Sequence, residues 1–402
     1  MKLRWFCQTL FVFLFLTLTI PLTAAEKPER LIPQKIDLQP TSMKEGWIQW
    51  GTLGDPRIGA VSYRERITAL HGFQNEVWVG TSHGKLLTQS AEGWVLQGQL
   101  PEAQITGIAV ESPEKVWLST SEGIRRLDRQ PDQSWNVATY RQYYQGHPAF
   151  VSGAYIPGED ARRLWGYVDD IYFPRQEKAY APFVISKEHG LFSWSAGVWH
   201  HFLPHYGGAN SAWVDLTELF PHRRPTCMRE DHQGHLWIGT EGDGLVRFNA
   251  NGRKYHLREP KNNQPDGTEF SHFGFADFGC NCDRVVNLAV SERAGAGVWA
   301  ILASFKSGSH LAHYDGLTWS TLSLGKKMVP SCLLEIEPGV LLVGDLNYKN
   351  GQVWKVNWRT RRIEPVDGPE HGVRNLVKLA DGRVFATSWW GLYEQVKQAK
   401  SE

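Results

Sequence analysis

Four cysteines, Cys227, Cys280, Cys282 and Cys332, have the most narrowly defined chemistry of any residues in this 402-residue chain. Thiols at such positions form disulfides, bind soft metals as thiolates or stay free, and the compartment decides among these. A second set could exchange protons: Asp169 and Asp170, Glu188, Glu241 and Asp243, all in or beside turns. Acidic residues in Gly-rich turns also serve local hydrogen bonding, so their spacing alone does not define a catalytic pair. His200, His201 and His205 lie close in sequence. On an extended strand, however, neighbouring side chains point to opposite faces, which argues against a shared ion. No GxSxG, HExxH, P-loop or EF-hand pattern occurs.

These residues must be positioned by a repeated unit. The run VWVGTSHG at 77–84 returns as VWLSTSEG at 116–123 and LWIGTEGDG at 236–244. Weaker copies are VWAILAS at 298–304, VLLVG at 340–344 and VFATSWWG at 384–391. Each run is preceded by a short apolar segment such as ITAL or VVNLAV and a polar turn. It is followed by a Gly-centred turn, a third apolar segment and a fourth centred on an aromatic (Trp94, Trp135, Tyr255 or Trp319). Four short β-rich segments separated by turn residues predict a four-stranded antiparallel meander. Beyond residue 25 no sustained 3.6-residue apolar period appears, so helices should be few.

Copies 39 residues apart at Trp78 and Trp117, and 44 apart at Leu341 and Phe385, have the period of a propeller blade. The strongest copies, LWIGTEGDGLVRFN above all, resemble the two-component regulator propeller repeats. That resemblance covers roughly residues 46–395 and implies a seven-bladed periplasmic sensor-type module. No kinase-length extension follows residue 395, so any signal is expected to pass through a separate signalling protein.

The chain therefore reads as all-β, a seven-bladed β-propeller of four-stranded blades. The 120 residues between Trp117 and Trp237 are read as one blade carrying an insertion of about 25–30 residues. The last blade, 373–395, stops after three strands. The segment GWIQWGTL at 46–53 matches the outer strand GWVLQGQL at 93–100, and would complete that blade, closing the ring. Residues 1–25 read as a secretory signal, 26–45 as a linker, 46–395 as one domain and 396–402 as a tail. Lys2 and Arg4 precede an apolar run that ends at Pro21, with small residues up to Ala25. This predicts a periplasmic or secreted protein without a membrane span in its mature chain.

Lys plus Arg total 43 against 42 Asp plus Glu, a balance that gives no case for nucleic acid. Most of the 18 Trp fall at repeat positions and are expected to pack between blades. Cys227 and Cys332 begin the innermost strands of blades four and six, and Cys280 and Cys282 just precede that of blade five. All four should thus share one sector of the channel mouth. In an oxidising compartment disulfides are expected, linking Cys227 or Cys332 to Cys280 or Cys282.

The long connections 141–181, 205–225 and 259–284 and the longest inner turns fall on one face, conventionally the top. Its inventory reads as aromatic and hydrogen-bonding rather than charged. The residues expected to bind a ligand are His83, His189, Asp243, Phe305, Tyr348, Trp389 and Trp390. Flat rings beside oriented donors suit a glycan or peptide-like ligand. No cofactor, metal or catalytic residue is assigned. The alternative is a carbohydrate-active or lyase-type propeller using top-face acids and histidines.

Overall fold

A computed structural model describes residues 29–396 apart from isolated positions and the stretches 53–64, 145–161, 175–180, 202–223, 250–269 and 292–296. Seven small sheets, antiparallel but for one parallel pairing in blade three, form a propeller with every blade present. Blade one illustrates the unit: Ile67–Phe73 innermost, then Glu76–Thr81, Lys85–Ser90 and Gly93–Gln99. Among the described residues the only helix is the four-residue Phe275–Phe278.

The repeated motif works through the contact between blades. The Trp of one second strand packs on an aromatic from the next blade. Trp78 lies 6.3 Å from Trp135, Trp117 5.7 Å from Trp199 and Trp237 6.0 Å from Trp319, ring centre to ring centre. All six of these indoles except Trp319 are at most 2% exposed. The motif's Gly leaves room for the next innermost strand. A Cβ at Gly80 would come within 2.5 Å of Ile105, and one at Gly344 within 2.5 Å of Cys332 Sγ and 2.8 Å of Val373. Gly344→Ala should therefore destabilise the fold by about 1–3 kcal/mol, read from the urea midpoint.

A second repeat is a bulge in the innermost strand, which turns one side chain toward the following blade. In four blades that residue carries a hydroxyl. Thr68 donates to the Ile105 carbonyl (2.5 Å), Thr106 to that of Val168, Thr226 to that of Val285 (2.6 Å) and Ser331 to that of Val373 (2.5 Å). These bonds stitch successive blades at the channel wall. In blade seven the bulge falls at Arg374 instead, between Val373 and Asn375.

Ring closure follows the expected match. Trp47–Thr52 pairs with Gly391–Gln395, as the fourth strand of blade seven. Residues 26–45, expected as a linker, carry three further strands. Ser42–Lys44 pairs with Trp47–Thr52, Gln34–Ile36 with the outer strand of blade one, and Glu29–Leu31 with that of blade two. The N-terminal arm thus straps the seam from outside.

Blade three carries the insertion, which adds Gln142–Tyr144 and Arg162–Leu164 beyond its outer strand Val198–His201. Blade four departs from the expected boundaries. Its fourth strand is Phe270–Phe273, inside what reads as a connection in the sequence, and Tyr255 lies outside the described residues.

Candidate functional site

The mouth of the channel on the loop-rich face is built from residues that immediately precede innermost strands and from the turns between second and third strands. Trp389 follows strand Val384–Ser388 in such a turn. Its indole packs closely on Gly372, where a Cβ would come within 2.4 Å of the ring atoms Cδ1 and Nε1. Gly372 has φ 81°, so only glycine suits both the conformation and the contact.

Two guanidiniums lie over this indole. The Cζ of Arg374 is 3.7 Å from the ring centre and that of Arg66 is 4.8 Å. The Arg374 guanidinium has its pKa pushed down, first by burial and then by the like charge of Arg66. Its Nε is buried without a hydrogen-bond partner among the described residues. The phenol of Tyr167 accepts a hydrogen bond from Gln104 Nε2 at 3.1 Å. Burial, then the Asp169 carboxylate, push its pKa up, while the Arg374 charge opposes them. Asp169 is held by Lys187, whose Nζ is 3.3 Å away and whose backbone N–H donates at 2.7 Å. Among the described residues the mouth therefore presents a cationic, ring-backed patch beside the aromatic and hydrogen-bonding groups expected there.

Of the residues expected to bind ligand, Trp389 belongs to this cluster. His83 is exposed in the corresponding turn of blade one, with its Nδ1 3.3 Å from Ser82 Oγ. His189, Asp243, Phe305, Tyr348 and Trp390, and the acid–base candidate Glu188, lie outside the described residues. Glu241 forms an ion pair with Arg284 at 3.9 Å across the blade four to blade five junction. The sequence reading missed Arg66, Arg374, Tyr167 and Gln104. The available signal was Arg374 itself, which occupies the repeat position that holds Thr or Ser in four other blades.

Deeper in the channel, His71, Asp170 and Arg229 come from the innermost strands of blades one, three and four. Burial, then the Arg229 charge, push the His71 imidazole down to about 4. Burial raises the Asp170 carboxyl, and Arg229 partly offsets that rise.

The cysteine sector differs from expectation. All four cysteines are free, so the staple from Cys227 or Cys332 to Cys280 or Cys282 is not formed. Cys227 and Cys332 are each buried against their own blade's motif glycine, within 2.7 and 2.5 Å of where a Cβ would stand on Gly239 and Gly344. Burial pushes these thiols up to about 11 and about 12, which keeps them protonated and inert. Cys280 and Cys282 instead come together with His310, and burial followed by its contact with Cys282 pushes the Cys280 thiol up to about 12.

Comparison with known proteins identifies the repeat and the fold. Residues 220–242, which include LWIGT, match the two-component regulator propeller family. No curated protein matches the chain significantly in sequence. Among solved structures, the extracellular domain of a hybrid two-component system from B. thetaiotaomicron is similar at TM-score 0.53 and 14% identity. That match covers 83% of this chain and 39% of the other. YCF48 bound to D1 peptide is similar at TM-score 0.54 and 10% identity, covering 90% and 100% of the two chains. A streptogramin B lyase matches at TM-score 0.52 and 9% identity, covering 91% and 97%. These likenesses show the fold alone.

Proposed function

We propose that this chain is an exported ligand-binding propeller, which recognises an anionic group on a glycan or peptide-like ligand at the channel mouth. The observation that carries this reading is the pair Arg66 and Arg374 on one indole, with the Arg374 Nε buried and unpartnered. Two guanidiniums repel each other unless an anion joins them, and their planar forks match a carboxylate or sulfate in two hydrogen bonds. Trp389 adds an apolar platform for a sugar ring or a peptide group. The leader-like N-terminus supports export. The similarity to the extracellular domain of a hybrid two-component system supports a role in sensing. The peptide in the YCF48 structure supports a peptide-like ligand as much as a glycan.

Calorimetry with galacturonate trimers and short acidic peptides, against galactose trimers and the amidated peptides, tests this reading. The acidic member of at least one pair should bind with a salt-sensitive affinity. Arg374→Ala should weaken that affinity by about tenfold, the loss of one charge-assisted hydrogen bond. Equal affinity for the neutral members, or unchanged affinity in both Arg374→Ala and Trp389→Ala, would overturn it. The reading as a lyase or carbohydrate-active enzyme rests on Glu188, His189 and Asp243, and turnover lost in Glu188→Gln would favour it.

A further inference from the structure

We propose that Cys280, Cys282 and His310 form a binding site for a thiophilic closed-shell cation, Cu⁺ or Zn²⁺, at the loop end of blade five. Their ligand atoms all lie within 4.8 Å of one another, and Cys282 Sγ is 3.2 Å from His310 Nδ1. In a tetrahedral zinc site with Zn–S near 2.3 Å and Zn–N near 2.0–2.1 Å, such atoms stand about 3.6–3.8 Å apart. Small side-chain rotations span the difference. Two thiolates and an imidazole select Cu⁺ or Zn²⁺ over Mg²⁺, Ca²⁺ or Mn²⁺, which favour oxygen donors.

The three ligands come from two segments fixed by packing. The helix Phe275–Phe278 ends at Gly279, whose left-handed φ of 62° turns the chain toward Cys280. Phe278, 2% exposed, anchors that turn against Trp319 at 5.0 Å between ring centres. His310 lies on the third strand of the same blade, Gly308–Tyr314. Cys282 is fully buried while Cys280 and His310 are half-buried, so the site is anchored below and open above. Ser307 Oγ lies 3.4 Å from Cys282 Sγ and donates to the Asn281 carbonyl at 3.2 Å. Cys227 and Cys332 take no part, since each thiol is enclosed against its own motif glycine.

Binding forms two metal–sulfur bonds and one metal–nitrogen bond, and releases the two thiol protons to solvent. The test uses the reduced full chain titrated with Zn²⁺ alone and, under argon, with Cu⁺ held by a competing chelator. One equivalent of one of these ions should bind in native mass spectrometry, with proton release and protection of Cys280 and Cys282 from alkylation. Cys282→Ser should abolish binding, and His310→Ala should weaken it by at least about tenfold. His310 is half-buried, so its variant keeps the test open if Cys282→Ser fails to fold. Absence of saturable binding of either ion, unchanged stoichiometry and affinity in the folded variants, or a Cys280–Cys282 disulfide that forms in the presence of metal would overturn the proposal.

Discussion

Trp47→Ala should lower the unfolding free energy by about 3–5 kcal/mol, a cost typical of emptying a buried indole site. Trp47 begins the closing strand, is 2% exposed and belongs to a cluster with Leu342 and Val353 of blade six and Val373, Val384 and Ala386 of blade seven. Its ring also meets Gly368, where a Cβ would come within 2.5 Å. The residue therefore joins the last two blades as well as closing the ring. A urea titration should show a lower midpoint, and hydrogen exchange should quicken in Gly391–Gln395, which loses its outer partner first. A loss below about 1 kcal/mol would mean that the strand contributes hydrogen bonds alone.

Acidification should destabilise the propeller through His71 by up to about 3 kcal/mol. The folded-state pKa lies at about 4 against 6.5 for the free side chain. Between those values the unfolded chain binds more protons than the folded one, so stability rises with pH across that window. The contribution is complete above pH 6.5 and is lost as pH falls through about 4. Arg229 is the cation facing His71, and it opposes the second charge in the channel. His71→Gln should flatten this part of the stability profile, whereas an unchanged slope would assign the acid sensitivity to other groups.

Much of the architecture is legible in the sequence because the motif residues act locally and repeatedly. Trp78, Trp117 and Trp237 mark the second strand through their bulk, and Gly80 and Gly239 mark the close approach of the next blade. The closing strand is legible because Trp47 and Gly46 repeat the chemistry of Trp94 and Gly93. Blade four resists because its third and fourth strands are far apart in the chain, so Tyr255 offers a nearer aromatic than Phe270–Phe273. The site is less legible for a geometric reason. Arg374 reads as an ordinary polar residue in a strand, and only a bulge turns it toward Trp389 and Arg66. The cysteines mislead in the opposite way. Equivalent repeat positions place Cys227 and Cys332 correctly on their strands, but each thiol packs against its own blade's motif glycine and forms no disulfide.

The closing strand also sets the order of events in synthesis. Trp50 Nε1 donates to Glu394 across 344 residues of chain. At about 5–20 residues per second, the closing strand waits roughly 17–70 seconds for its partner. Blades one to six can form meanwhile from neighbouring segments, whereas blade seven cannot. Throughout that interval the nascent chain is an open arc with one unfinished terminal sheet. The ring therefore closes only at the very end of synthesis, when Gly391–Gln395 emerges and Trp47–Thr52 can pair with it.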